Sequence, residues 1–443
     1  MIASLNIRPL EATEGQTLQL TAAPKAGTAR VVSGTRPTTT EKSSAGRKCS
    51  AFMRIFPQLL LALLTLLVWP PEAQARPKSM QELASITGKL VETGVAYGAI
   101  PSLYRPRYDR VMDADLNTSA EEVVFVVMLP NGPHIYPQRF MVWHQVVNEL
   151  IDDVAYAITY CPTTGTLMAY NASMEGLNLI FDTEGRLYDG NSVLIDRNSG
   201  SLWLQETGMA FEGPLMGRGM PTVPVFWTTW GAARSVYPNA PVMGKPAGTR
   251  PYGRDPYGNY QRKGTYYDND RLIYPVQRMD KRFPRKTHML CLEYEGYLLA
   301  IDVAYVKKKG TVNFFVGPNA LLAAHDPKLD VVRVFNRQIW AEPFLFISRY
   351  GKLMDLKTRS VWDPSTGKAI EGNMKGASMP EYFGGYSMWF AWYSINPETF
   401  TVPGPGVVPE NLLSPDAPGS DNLAPAAPAA PGPSVIPNMP AAQ

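Results

Sequence analysis

Apolar and polar runs alternate over short distances through most of the middle of the chain. Two pairs of apolar runs flank polar turns that contain glycine, at residues 123–136 and 288–301, and each pair predicts a β-hairpin. Further apolar runs of strand length include residues 154–160 and 311–316. Turns rich in Gly, Asp and Asn separate such runs at intervals of about eight to twelve residues. This pattern favours an α+β, β-rich fold of mainly antiparallel strands with a few short helices.

Two helices are predicted as well, one before the first hairpin and one directly after it. Ser79 and Glu82 have the spacing of a capping box ahead of an apolar run, which predicts a helix at that point. Further on, apolar residues recur at helical spacing after a proline, which predicts a second helix over residues 138–152. In that helix His144 and Asn148 would share one face, opposite the apolar stripe.

The chain also contains an internal repeat. Residues 194–238 and 353–397 match without a gap, with 16 of 45 positions identical, whereas unrelated sequences would share about three. Turn glycines and tryptophans recur together in the two stretches. We therefore expect two tandem pseudo-symmetric modules, at residues 112–245 and 271–400.

The segments outside the two modules differ in composition from the modules themselves. Residues 59–68 form a ten-residue apolar run that follows Met53 and precedes an A-x-A site ending at Ala75, an order typical of a cleaved secretory signal. The run is too short for a membrane-spanning helix, which needs about 20 residues. We therefore expect a periplasmic or secreted protein, cleaved near Ala75 and without an integral membrane span. The predicted segments are an untranslated or disordered stretch at 1–52, a signal peptide at 53–75, an N-terminal helix and linker at 76–111, a Tyr/Gly/Pro-rich connection at 246–270, and a disordered Pro/Ala-rich tail at 401–443.

The net charge and the cysteine content limit which partners and which covalent links the protein can have. The formal net charge is only +3, which does not indicate a nucleic-acid partner. Of the three cysteines, Cys49 precedes the signal, which leaves Cys161 and Cys291 in an exported protein. These two residues either form one disulfide or remain free thiols, since the sequence alone does not fix their geometry.

Cys161 is the first candidate for a functional side chain. It lies where an apolar strand gives way to a turn containing Pro162 and Gly165, a place where a rigid scaffold can present a side chain to a pocket. Aligning strand ends places Gly317 at the matching position of the second module, so the fold itself would not need a thiol there. The alternative is a buried cysteine that acts as a small hydrophobe.

Other candidates surround Cys161 in the sequence. His144 could serve as a base or a metal ligand, although a lone histidine is more often structural. Arg197 and Gln205 become Leu356 and Pro364 in the second copy, so they too could carry a function specific to the first module. Soft thioethers are also abundant, with methionines at 209, 216 and 220, but core filler is the favoured interpretation for them.

Three stretches of sequence resemble a known family. These are PQRFMVWHQVVNE, AITYCPTTGTLMAY and YDGNSVLIDRNSGSLWLQETGMAFEGPLMG, in that order, and they are similar to the domain of unknown function 3179 found in exported bacterial proteins. The resemblance covers about residues 123–393 and implies a shared fold and site without an established activity. In many family members the cysteine motif reads Cys-Pro-x-Cys-Gly, whereas here Thr164 replaces the second cysteine, so a two-thiol mechanism is not expected.

Three functional hypotheses follow from the sequence. The leading one is an exported protein with a single-thiol site that binds a soft metal ion, such as copper, or a small ligand. The second is a thiol-dependent enzyme or redox protein that uses Cys161 with His144, and the third is a structural envelope protein. In the first two, Cys161 and His144 would be the catalytic or metal-binding pair, and the pocket would be lined by Asn148, Thr164, Arg197 and Gln205.

Overall fold

The computed structural model describes residues 78–349 and 352–413. The predicted signal peptide, the stretch before it and the last thirty residues of the predicted tail (414–443) lie outside the described residues. The described part is β-rich, and most of its strands pair antiparallel. This confirms the fold class predicted from the sequence. Within residues 78–349 and 352–413, no helix has the length and apolar character needed to cross a membrane.

The helices are all short, and the first begins with the predicted capping box. Ser79 Oγ accepts a hydrogen bond from the Glu82 backbone N–H at 3.2 Å, and Glu82 Oε2 accepts one from the Ser79 N–H at 2.8 Å. These two bonds satisfy backbone donors that a helix start otherwise leaves without partners. The α-helices of the described residues are α1 (Met80–Ala84), α2 (Val111–Asp115), α3 (Gln138–His144), α4 (Trp230–Val236), α5 (Val303–Lys309) and α6 (Trp389–Ile395), with short 3-10 turns at Thr87–Lys89 and Glu410–Leu412.

The strands, in chain order, are β1 (Val91–Glu92), β2 (Leu103–Tyr104), β3 (Tyr108–Asp109), β4 (Val123–Leu129), β5 (Gly132–Pro137), β6 (Val146–Ile151), β7 (Val154–Cys161), β8 (Thr166–Asn171), β9 (Ser173–Met174), β10 (Leu177–Asn178), β11 (Phe181–Tyr188), β12 (Asn191–Asp196), β13 (Leu202–Leu204), β14 (Ala210–Glu212), β15 (Val225–Thr229), β16 (Val242–Met243), β17 (His288–Tyr294), β18 (Tyr297–Asp302), β19 (Thr311–Val316), β20 (Asn319–Asp326), β21 (Val331–Asn336), β22 (Gln338–Ile339), β23 (Glu342–Pro343), β24 (Phe346–Arg349), β25 (Lys352–Asp355), β26 (Val361–Asp363), β27 (Lys368–Glu371), β28 (Glu381–Tyr382), β29 (Gly385–Met388) and β30 (Phe400–Val402). The two hairpins predicted from the sequence are confirmed as β4–β5 and β17–β18.

The largest sheet draws strands from both halves of the chain. Its order is β2-β6-β7-β8-β29-β17-β18-β30, and the two halves meet where Leu167 of β8 pairs antiparallel with Tyr386 of β29. Only the outer pairs β2–β6 and β18–β30 are parallel in this sheet. Two independent modules would each form their own sheets, whereas this sheet contains strands of both predicted modules. The division into two tandem modules therefore stays a prediction.

The described residues form several smaller sheets besides this central one. A five-stranded sheet, β1-β11-β12-β13-β14, carries the turn that follows β13, and a four-stranded sheet, β24-β25-β26-β27, carries the corresponding turn of the second half. A second five-stranded sheet, β15-β4-β5-β16-β3, and a four-stranded sheet, β19-β20-β21-β28, complete the main layers, and two short hairpins add two strands each. The largest apolar core cluster combines residues from both halves of the chain.

The predicted helix over residues 138–152 is wrong beyond its first two turns. Helix α3 ends at His144 because Gln145 adopts a left-handed conformation, with φ of 58°. The residues that follow form strand β6, which pairs with β7. Buried strands are nearly continuous apolar runs, and such a run can imitate helical spacing over a short distance. His144 and Asn148 therefore do not share a helix face.

Matching hydrogen bonds show which positions of the two halves correspond. Asn148 donates to the Phe181 carbonyl at 2.9 Å and accepts from the Phe181 N–H at 2.8 Å. Asn313 makes the same two bonds to Phe346, at 2.7 and 2.9 Å. These asparagines lie at the third position of β6 and β19 respectively. Strand β6 therefore matches β19, and the alignment of residues 154–160 with 311–316 was wrong.

With this register, Cys161 matches Asp326 rather than Gly317. Each is the last residue of its strand, β7 or β20, and each precedes a proline. The turns also match in backbone conformation, since Gly165 has φ of 59° and Asp330 has φ of 55°. The second half therefore has a buried carboxylate where the first has a thiol.

The start of the predicted disordered tail is also corrected. Strand β30 pairs in parallel with β18, and Val408 beyond it is buried. Residues 401–413 thus belong to the folded part of the chain. Pro and Ala content dominates only further on, which is why composition placed the boundary too early.

Candidate functional site

Cys161 is completely buried in the structure. Its Sγ lies 3.1 Å from Thr163 Oγ1 and 3.9 Å from the Gly190 carbonyl oxygen. Thr163 in turn donates to the same Gly190 carbonyl at 2.9 Å. Cys161 and Cys291 are both free thiols, so the two do not form a disulfide.

His144 and Asn148 both have structural partners. The ring nitrogens of His144 are 2.7 Å from the Pro101 carbonyl oxygen (Nδ1) and 2.8 Å from Tyr252 Oη (Nε2). Burial lowers the pKa of His144, so the neutral ring donates to Pro101 and accepts from Tyr252. Asn148 joins β6 to β11 through Phe181. Neither side chain is free to bind a metal or take a proton without giving up these bonds.

Arg197 lies at the surface rather than beside the thiol. It is half exposed and forms a two-pronged ion pair with Asp182, with Nε–Oδ2 at 2.6 Å and Nη2–Oδ1 at 2.8 Å. Asp182 also accepts hydrogen bonds from Ser102 and Tyr97. Arg197 Nη2 also donates to Ser102 Oγ at 3.2 Å. The guanidinium of Arg197 therefore links the N-terminal segment to β11.

Thr164 and Gln205 belong to one buried polar network, in which Asn191 bridges them. Asn191 Nδ2 donates to Gln205 Oε1 at 2.8 Å and to Thr164 Oγ1 at 3.1 Å. Thr166 Oγ1 donates to Thr164 Oγ1 at 2.8 Å and lies 3.0 Å from Ser387 Oγ. Ser387 is on β29, so the network crosses from one half of the chain to the other.

The same network ends at a buried carboxyl group that is not among the site residues predicted from the sequence. Ser387 Oγ donates to Glu206 Oε1, and Glu206 is completely buried. Its second oxygen, Oε2, is buried without a hydrogen-bond partner among the described residues. Removal from water raises the pKa of the Glu206 carboxyl to about 8, with the negative charge of Asp189 acting in the same direction. Glu206 is therefore mostly protonated in neutral solution.

Glu206 lines a cavity of about 470 Å³ between the turn after β13 and strands β17 and β29. Thr207 and Asn396 also line it, and Thr207 Oγ1 and Asn396 Nδ2 are buried without a hydrogen-bond partner among the described residues. Lys78 and Glu293 contribute charged side chains, and Glu293 is exposed to solvent. Buried polar atoms are almost always hydrogen-bonded in native proteins. Three such atoms around one cavity therefore indicate a place for a ligand.

The remaining wall of the cavity is apolar. It consists mainly of the side chains of Met168, Met209, Met220, Leu292, Leu298 and Trp392. Two glycines of the second half allow close packing at the cavity wall, since a Cβ on Gly385 would lie 1.8 Å from Met168 Sδ, and one on Gly384 would lie 2.0 Å from the Cys291 carbonyl oxygen. An apolar wall with a few convergent polar groups is typical of small-molecule sites, which commonly measure about 300–1,000 Å³.

The matching positions of the second half carry charged and polar side chains that bind one another. Met168 matches Arg333, Glu206 matches Ser365 and Thr222 matches Glu381. Arg333 is buried and pairs with Asp326 at 2.9 Å and with Glu381 at 2.8 Å. Ser365 Oγ donates to Asp326 at 2.8 Å. In that half an ion-pair network satisfies the polar groups, whereas Glu206 keeps an oxygen without a partner among the described residues.

A signal for Glu206 was present in the sequence. Comparison of the two copies drew attention to Gln205 because Pro364 replaces it, but the next position changes from glutamate to serine as well. A carboxyl group between apolar strands that the other copy lacks is the kind of residue that such a comparison can find. Its cavity partners on β17 and β29 had no signal of their own, since they come from distant parts of the chain.

The Tyr/Gly/Pro-rich connection packs against the end of β7 and the turn that follows it. Tyr260 and Tyr267 stack with ring centroids 3.8 Å apart, and Tyr266 donates from its hydroxyl to the Thr163 carbonyl at 2.5 Å. Tyr160 of β7 lies 3.0 Å from Tyr260, hydroxyl to hydroxyl. The connection thus covers the turn that follows Cys161.

Comparison with protein families confirms the resemblance. Residues 97–399 match the family described as protein of unknown function (DUF3179), and the chain belongs to that family. No curated protein and no solved structure matches the chain.

Proposed function

We propose that this member of the family is an exported protein that binds a small molecule in the Glu206 cavity. The observation that carries the proposal is the convergence of three buried polar atoms without partners among the described residues on one apolar cavity. Export is supported by the signal-like sequence before Arg76. A volume of about 470 Å³ suits an organic molecule and far exceeds that of a bare metal ion.

The two copies of the repeat offer a matched pair of variants for testing this site. Thr207 lines the cavity, and its counterpart Thr366 is an exposed residue outside the lining of this cavity. The probes would be octanoate, octan-1-ol and octylamine, titrated by calorimetry, each below its solubility limit or critical micelle concentration. We expect Thr207→Phe to weaken binding of the bound probes by at least about tenfold, because the ring would occupy the cavity. Thr366→Phe should bind as the wild type does.

Two results would count against the cavity as the ligand site. One is the absence of binding by all three probes to the wild-type protein. The other is equal binding by the two phenylalanine variants, which would place any bound probe elsewhere on the surface. Circular dichroism and thermal unfolding of both variants would establish that each is folded before titration.

The thiol and soft-metal hypotheses for Cys161 and His144 receive less support from the geometry, because the thiol is buried and both imidazole nitrogens have hydrogen-bond partners. We expect iodoacetamide to modify Cys161 at least about 100-fold more slowly in the native protein than in urea, since the reagent reaches a buried thiol only after local opening. Peptide mass mapping over time measures the two rates. Rapid alkylation of native Cys161 would restore the reactive-thiol hypothesis and place the sulfur within reach of a ligand.

A further inference from the structure

Three polar atoms of the cavity lack partners among the described residues, and each can donate a hydrogen bond when it carries a proton. Asn396 Nδ2 can only donate, and it is buried without a partner among the described residues. Glu206 Oε1 is hydrogen-bonded to Ser387, and Oε2 is buried without a partner among the described residues, so a carboxyl proton on Oε2 can be donated to a ligand. The Thr207 hydroxyl can donate as well. Lys78 adds a positive charge at the cavity wall, where its Nζ also donates to the Ile395 carbonyl at 3.2 Å.

The negative groups near Glu206 are either engaged or exposed. Asp189 accepts hydrogen bonds from the Gln277 backbone N–H at 2.6 Å and from its side-chain amide at 3.2 Å. Glu293 is exposed, so solvent screens its charge. The Cys291 thiol on β17 stays neutral, because burial and the nearby Glu206 raise its pKa well above the ordinary value. The interior of the cavity therefore presents donors and one cation.

We infer that the ligand is a small monocarboxylate with an apolar body, its carboxylate bound by Glu206 Oε2–H and Asn396. The inference rests on the proposed function, because it assigns a ligand class to the same cavity. A carboxylate supplies acceptors for Glu206 Oε2, Thr207 Oγ1 and Asn396 Nδ2, and the Lys78 ammonium, which also has protein partners, lies at the same wall. The methionine, leucine and tryptophan side chains would cover the apolar body, as Met-lined surfaces adapt well to flexible ligands.

The protonation of Glu206 gives this inference a specific signature. Its pKa is raised to about 8, so the donor is present at neutral pH and lost in alkaline solution. Octanoate should therefore bind about tenfold more weakly at about pH 9 than at about pH 7. Glu206→Gln retains a donor that does not titrate, so it should bind octanoate at neutral pH within about threefold of the wild type and lose the pH dependence.

The experiment is a calorimetric titration of octanoate, octan-1-ol and octylamine into the wild type, Glu206→Gln and Lys78→Met, with Thr366→Phe as the unaffected control. We expect octanoate to bind more tightly than octan-1-ol, and Lys78→Met to weaken only octanoate binding.

If octylamine binds best and its binding tightens as the pH rises, the ligand is a cation. The carboxylate inference is then overturned while the cavity remains a binding site. Equal, pH-independent binding of octanoate and octan-1-ol would overturn it too. If no probe binds, the proposed function fails together with the inference.

Discussion

Between about pH 5 and about pH 8, the free energy of unfolding of the wild type should fall, relative to that of Glu206→Gln, by on the order of 4 kcal/mol. The reason is the raised pKa of the buried Glu206 carboxyl, from 4.5 to about 8. In this window the native state holds a proton that the unfolded chain has released. The stability due to this proton is fully present below about 4.5 and is lost as the pH rises through about 8. The loss is a large part of a typical total stability of about 5–15 kcal/mol.

Urea unfolding at a series of pH values measures this difference. Glu293→Gln is the matched control, because Glu293 lines the same cavity but is exposed, and it should follow the wild type. His288, whose pKa burial lowers to about 3, contributes stability that is lost toward acid, but every variant shares that effect. Parallel curves for the wild type and Glu206→Gln would show that Glu206 is ionised and solvated in the native protein, contrary to this account.

Asp196→Ala and Asp355→Ala should each destabilise the protein by about 3–5 kcal/mol. Both carboxylates are completely buried. Asp196 Oδ2 accepts from the Trp203 indole N–H at 2.9 Å, and Asp355 Oδ2 accepts from that of Trp362 at 2.9 Å. Each also accepts a backbone N–H bond of 2.6 Å within its turn. Alanine would leave a buried indole donor and a turn amide without partners.

Because the two aspartates have nearly the same environment, their effects should agree within about 1 kcal/mol, and they should add in the double variant. Asp113→Ala, at an exposed ion pair, serves as the control and should change stability by less than about 1 kcal/mol. Chemical denaturation, monitored by tryptophan fluorescence, gives the free energy of unfolding of each variant. A small effect at either aspartate would contradict the structural role assigned to these repeated residues.

Much of the fold could be predicted because it follows from local patterns. The hairpins and the capping box at Ser79 depend on residues close together in sequence. The helix end at His144 could not be predicted in the same way, because it depends on Gln145 adopting a left-handed conformation and on strand pairing between β6 and β7. Apolar spacing alone does not distinguish a buried strand from a buried helix.

The candidate site was predicted only in part. Thr164 and Gln205 share a buried network with Glu206, but His144 and Arg197 have partners elsewhere. The cavity wall includes Gly385, whose missing side chain leaves room for Met168, and Gly384, which lies against the backbone of Cys291. Such a site forms only when β8 and β29 pair across the two halves of the chain. No motif within either half predicts the pairing of β8 with β29.

The most direct test of the ligand site is a crystal structure of the protein grown with octanoate. We expect electron density for the fatty acid in the cavity, with its carboxylate within hydrogen-bond distance of Glu206 and Asn396 and its chain against Met168 and Trp392. A cavity that contains only water under saturating octanoate, or octanoate bound solely at another surface, would contradict it.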